Sequence, residues 1–226
     1  MKSEAGLALV YFLLYMGYLF LNPESELGHW LTLVALPLAL LILYQRRVWD
    51  NWSLEKTLTT VGLEKGSLTR GLVWAIPLGL GVSLVLQLLL SNNVDAFREL
   101  ITSGRFLYLL PLALVLLLLT AGLTEEFFFR GVLQTRLAAL LRSNVLAILV
   151  VSVLFGLYHL PYAYLNPHWP SAGDLGAAFQ AAMVNGMLGG VVLGAVYVFA
   201  RGNLLAPVIV HALIDLFPAM TQIRFG

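Results

Sequence analysis

Apolar runs recur along the whole chain, near residues 5–22, 30–45, 71–91, 105–121, 124–142, 144–160, 176–200 and 203–218, and each is about long enough to cross a hydrocarbon layer as a helix. Segments buried in lipid must satisfy every backbone N–H and C=O internally, which runs of this length do by coiling into α-helices. The expected fold is therefore all-α, a polytopic helical bundle forming one integral membrane domain over residues 1–226. Charged residues make up only 11% of the chain and mean hydropathy is +0.87, which excludes a soluble globule. A formal net charge of +1, with Lys and Arg scattered over connections, offers no basic face for nucleic acid. The first partner is the lipid bilayer. Without cysteine the chain has no thiol nucleophile, iron–sulfur cluster or thiolate zinc site. Segment 5–22 has no clear small-residue cleavage site and reads as a retained helix, not a signal peptide.

Two rules disagree on the number of spans. The polar stretch 46–70 carries Arg46, Arg47, Lys56, Lys65 and Arg70 with Trp49 and Trp52, the mark of a cytoplasmic loop beside an aromatic belt. Keeping 124–142 on the cytoplasmic surface gives seven spans and obeys the positive-inside bias well. Starting a new helix at Thr124, an N-cap residue followed by Glu125 and Glu126 in the first turn, gives eight spans, with the turns at 143 and 202 on the outer side. Nineteen residues rise about 28 Å, one bilayer thickness. Folding 124–142 back on 144–160 then brings Glu125 and His159 to one depth, so eight spans is the expected arrangement. The segment 161–175, with Pro161, Pro167, Pro170 and Gly173, reads as an irregular loop at the membrane surface.

The chemistry concentrates in Thr124-Glu125-Glu126-Phe127-Phe128-Phe129-Arg130. Each ionisable group at the centre of a membrane helix costs about 2.5–3.5 kcal/mol, so three of them need partners or a function. On a helix Glu126 and Arg130 are four apart with the acid toward the N-terminus, the favourable order for an ion pair, while Glu125 is rotated about 100° away and can face a cavity. His159 stands on the next apolar helix, four residues after Phe155. On the last span His211 and Asp215 are again four apart. Each feature alone has a structural reading as a buried ion pair or a satisfied histidine. Together they put one free carboxylate, two imidazoles and an Asp where they converge. A Glu and a His sharing a water form a general base, and His211 with Asp215 can bind a developing oxyanion or orient a carbonyl.

These motifs, Glu125-Glu126-x-x-x-Arg130, Phe155-x-x-x-His159 and His211-x-x-x-Asp215, resemble those of the CAAX protease and bacteriocin-processing family, the type II CAAX prenyl endopeptidases. The resemblance covers about residues 105–218. It implies an intramembrane glutamate endopeptidase in which Glu125 and His159 activate a water and His211 with residue 215 stabilises the tetrahedral intermediate, while Glu126 and Arg130 are structural support. It further implies a peptide or protein substrate, lipid-modified in the eukaryotic relatives, and the short chain suits a prokaryotic cytoplasmic membrane. Those relatives carry Asn where this chain has Asp215. An ionised Asp cannot donate to an oxyanion, so Asp215 is either protonated or orients His211.

Two histidines with carboxylates can also hold zinc, but the chain lacks H-E-x-x-H and a dense ligand cluster, and no metal or cofactor is expected. Gly186, Gly190 and Gly194 form a small-residue stripe for close helix packing. Asn185 beside it lines a cavity or bonds a neighbouring helix. His29 and His168 fall in loops without an identified partner. Two other functions use the same polar groups: a non-catalytic membrane scaffold or immunity protein, and a proton-coupled transporter.

Overall fold

A computed structural model describes residues 1–21, 26–64, 68–89, 94–167 and 169–222. Among them are helices α1 (Lys2–Leu21), α2 (Leu27–Val48), α3 (Leu54–Thr60), α4 (Leu68–Leu89), α5 (Val94–Thr102), α6 (Phe106–Leu141), α7 (Asn144–Leu165), α8 (Leu175–Phe199) and α9 (Leu205–Gln222). Five of them, α1, α2, α6, α7 and α8, are long and apolar enough to cross a membrane, and Leu205–Met220 of α9 is a shorter apolar helix. Large apolar side chains such as Leu13, Leu14, Leu107, Val145 and Phe199 point outward, the surface that acyl chains solvate in place of water. The protein is an all-α polytopic membrane bundle.

Three expectations from the sequence are corrected. First, no turn separates 105–121 from 124–142. Both lie in α6, which runs 36 residues without a break, roughly 54 Å at helical rise. Thr124 is not an N-cap, because its hydroxyl donates back to the Thr120 carbonyl at 2.6 Å inside a continuous helix. Gly122 keeps helical angles (φ −57°, ψ −57°). Its lack of a side chain serves packing instead: a Cβ there would stand 2.9 Å from the Val208 carbonyl oxygen of α9. Second, α7 continues through Pro161 to Leu165 before the connection of 166–174 begins. Pro161 is buried inside this helix, although an interior proline loses one backbone bond and crowds the carbonyl four residues back.

Third, the loop after α2 lies at the same end of the bundle as the 142–143 and 201–204 turns. The Leu204 amide donates to the Gly62 carbonyl at 3.1 Å, and Arg136, six residues before Arg142, donates to the Thr60 carbonyl at 3.1 Å. A cytoplasmic 46–64 and outer turns at 143 and 202 therefore cannot both hold.

This end carries a buried polar network absent from the sequence reading. Glu4 of α1 and Arg136 of α6 are both fully buried and pair at 3.1 Å. Gln45 Nε2 of α2 donates to the same Glu4 oxygen at 3.3 Å, and Thr57 of α3 donates to Gln45 Oε1 at 2.7 Å. The Arg136 guanidinium also donates to the Gly131 carbonyl at 2.7 Å and to Thr60 Oγ1 at 2.9 Å. Gly131 lies in Phe127–Gln134, a stretch of widened π-helical turns, and its carbonyl is reached from five residues on. The network joins α1, α2 and α3 to α6, whose preceding turns bear the candidate site.

Candidate active site

Glu125, Glu126 and Arg130 lie on α6, His159 on α7, and His211 and Asp215 on α9. The α6–α7 hairpin turns at Arg142, which takes the left-handed conformation (φ 54°), and Ser143, which caps α7 by accepting from the Leu146 amide. Antiparallel packing of the two helices then sets Glu125 beside His159, as the sequence spacing predicts. α9 crosses α6 next to Gly122 and supplies His211 to the same point.

Glu126 is fully buried and uses both oxygens. Arg130 Nε donates to Oε2 at 2.7 Å, and His211 Nδ1 lies 3.0 Å from Oε1. The expected Glu126–Arg130 pair thus has a third member. Arg130 is also fully buried, with its guanidinium carbon 4.8 Å over the centre of the Phe155 ring. A carboxylate held by an arginine only accepts, so His211 Nδ1 carries the proton between them.

Glu125 points the other way. Tyr158 donates to its Oε1 at 3.4 Å. Its Oε2 is buried with no hydrogen-bond partner and stands 3.9 Å from His159 Nε2 and 3.9 Å from His211 Nε2. His159 Nδ1 lies 2.7 Å from the Phe155 carbonyl oxygen, an acceptor, so that nitrogen carries the proton and Nε2 presents a lone pair. Phe155 packs edge-on against both imidazoles, with ring centroids 4.7 Å from His159 and 6.0 Å from His211. The phenylalanine of the second motif thus packs against both rings.

Asp215 Oδ2 stands 3.3 Å from His211 Nε2, and its side chain is 42% exposed, against 23% for His159 and 8% for His211. Glu126 meets the other ring nitrogen of His211, Nδ1, at 3.0 Å. Asp215 meets the nitrogen that faces Glu125, at the open edge of the cluster.

The glycine stripe packs on α7 as expected. A Cβ on Gly186 would stand 2.9 Å from Gly156 Cα and 3.1 Å from His159 Nδ1, and one on Gly190 would stand 2.8 Å from Ser152 Cα. Gly186 therefore seats His159. Gly186→Ala is expected to cost about 1–3 kcal/mol by overpacking, read as a lower melting temperature in detergent. Gly189→Ala, with nothing within 4 Å of the added carbon, is expected to be neutral or slightly stabilising. Asn185 is exposed. His29 is not an unpartnered loop residue: it lies in α2 with Nε2 2.6 Å from the Tyr162 hydroxyl. His168 and Lys65 lie outside the described residues.

Sequence reasoning missed Tyr158 and Tyr162. Tyr158 precedes His159 on α7, and Tyr162 is one turn further on.

The fold and the site together define a polytopic membrane protein with a buried polar centre of Glu, His and Arg drawn from three helices. Residues 107–217 match the family model of the Rce1-like type II CAAX prenyl endopeptidases. The match spans all three motifs and nearly coincides with the region of resemblance. No curated protein and no solved structure matches the chain.

Proposed function

We propose that the protein is a metal-independent intramembrane endopeptidase of the CAAX type, acting in a prokaryotic cytoplasmic membrane on a peptide bond near a lipid-modified or membrane-embedded residue. The observation that carries this reading is the orphaned Glu125 Oε2, buried 3.9 Å from two imidazole nitrogens. That gap is wider than a hydrogen bond, and the proposed reaction places one water there. The His159 lone pair and Glu125 Oε2 both accept, so the water donates one O–H to each and its oxygen is left to attack. Glu125 takes the proton, hydroxide adds to the scissile carbonyl, and the leaving nitrogen receives the proton as the C–N bond breaks.

His211 has a carboxylate oxygen facing each ring nitrogen, Glu126 at Nδ1 and Asp215 at Nε2, and satisfies both only when both nitrogens are protonated. Its Nε2–H is then the donor available to the oxyanion, with Asp215 holding it until the substrate carbonyl arrives. Glu126, Arg130 and the Phe155 ring fix the imidazole in that pose.

The test is cleavage of a fluorogenic, lipid-modified CAAX-type peptide by the purified protein in detergent, with and without EDTA or phenanthroline. Turnover indifferent to both chelators is expected. Turnover lost on chelation and restored by zinc overturns the metal-free reading, and turnover unchanged in His159→Ala favours a scaffold with an unrelated contaminating activity. Asp215→Asn should keep kcat within about tenfold of the wild type, because the amide still meets His211 and also donates to an oxyanion.

A further inference from the structure

The two oxygens of Glu125 face different surroundings. Oε2 faces the imidazoles and the reacting water, while Oε1 begins a line of hydroxyl groups that leads out of the site. Tyr158 donates to Oε1 at 3.4 Å, the Tyr162 ring packs edge-on against Tyr158, and the Tyr162 hydroxyl stands 2.6 Å from His29 Nε2. The rings are packed into this order, with centroids 5.4 Å apart for Tyr158 and Tyr162 and 5.7 Å apart for Tyr162 and His29. Tyr158 is fully enclosed, whereas His29 is only partly buried. Position along the helices agrees: Tyr162 is three residues from the end of α7, and His29 is two residues from the start of α2, at the same end of the bundle. The chain begins inside the protein and ends at its edge.

We infer that Glu125, Tyr158, Tyr162 and His29 form a proton relay that sets the protonation state of Glu125 from the membrane edge while substrate occupies the other side of the carboxylate. The inference rests on the peptidase reading for its use in turnover, but not for its existence. Each intermediate member is a hydroxyl that both donates and accepts, and the terminal imidazole does either according to its tautomer, so the line conducts in both directions. Going outward, the proton on Glu125 Oε1 bonds to the Tyr158 oxygen, the Tyr158 proton to the Tyr162 oxygen, and the Tyr162 proton to His29 Nε2. Three O–H bonds break, two O–H bonds and one N–H bond form, Glu125 becomes the carboxylate and His29 the imidazolium, which sheds a proton at the edge. No tyrosinate or co-reactant is needed. The 3.4 Å first link is long, as such contacts commonly are before substrate tightens a site. The relay also gives α2, which carries none of the three motifs, a part in the chemistry. His29 and Tyr162 touch no reacting atom and are positioning residues.

The experiment follows the carboxyl infrared band that is missing from Glu125→Gln, recorded for the whole protein in lipid nanodiscs after a rapid pH jump. Tyr162→Phe, which keeps the ring and removes the link, is expected to slow protonation of Glu125 at least about tenfold and to lower kcat with KM unchanged. His29→Ala should do the same, with recovery on adding imidazole. An unaltered protonation rate in Tyr162→Phe overturns the relay, as does a fall in melting temperature with the rate intact. Should Tyr162→Phe fail to fold, His29→Ala decides: slowing reversed by imidazole supports the relay, and an unchanged rate overturns it. A wild type that protonates Glu125 through this line yet cleaves no peptide overturns the peptidase reading and leaves the relay standing.

Discussion

Glu125→Gln should remain folded and inserted while hydrolysis falls by at least about a thousandfold, equivalent to roughly 4 kcal/mol of transition-state stabilisation. The substitution preserves volume, and its amide can still meet the Tyr158 hydroxyl and face the two imidazoles. What it removes is the acceptor for the water proton. Glu125 Oε2 has no hydrogen-bond partner among the protein groups, so no hydrogen bond at that oxygen is lost with the charge. Burying one carboxylate fewer should leave the melting temperature unchanged or raise it. The check is a pair of measurements on one preparation, thermal melting in detergent and cleavage of the lipid-modified peptide. Glu125→Gln with wild-type turnover would remove the general base from the mechanism.

Arg130→Ala should behave oppositely, losing the protein before the chemistry. The guanidinium pairs with Glu126 at 2.7 Å and lies on Phe155, and all three side chains are buried. Taking away one member of a buried ion pair leaves the other charge uncompensated, typically at a cost of about 3–5 kcal/mol. Here the orphan would be Glu126, left with His211 alone, so the damage spreads to the ring that faces the reacting water. Reduced abundance in membranes and early thermal unfolding are expected. The double variant Arg130→Ala, Glu126→Ala should recover part of that stability, because no charge is then stranded, while remaining inactive for want of the His211 anchor. A stable and inactive Arg130→Ala protein would contradict this division between support and chemistry.

The parts of the site legible in the sequence are those set by one helix or one hairpin. Glu126 and Arg130 meet because they are four apart on α6, His211 and Asp215 because they are four apart on α9, and Glu125 meets His159 because a short turn at 142–143 makes the helices antiparallel. The polytopic all-α fold was readable for a different reason, since apolar length alone leaves lipid-embedded backbone few alternatives. What stayed hidden depends on how separate elements cross. Nothing local shows that Glu126 serves His211 as well as Arg130, or that Tyr162 reaches His29, 133 residues earlier in the chain. The false break at Thr124 has a plain cause: Thr followed by two glutamates has the composition of a helix start, but here the hydroxyl is satisfied by the preceding turn and the carboxylates by side chains. Pro161 misled in the same way, as a residue that ends many helices but lies buried inside this one.

The pairing of Glu4 with Arg136 bears on how the protein is made. The two are 132 residues apart, so at a synthesis rate of about 5–20 residues per second roughly 7–26 s pass between Glu4 and Arg136, with the Met1 ammonium 3.2 Å from the other Glu4 oxygen. During that interval the first helix carries a carboxylate with no buried counter-charge. That carboxylate gains a buried ion pair only once the helix bearing Arg136 has entered the membrane. Helix α1 is therefore locked in place late, and a nascent chain halted before residue 136 should hold it loosely, open to labelling and to extraction.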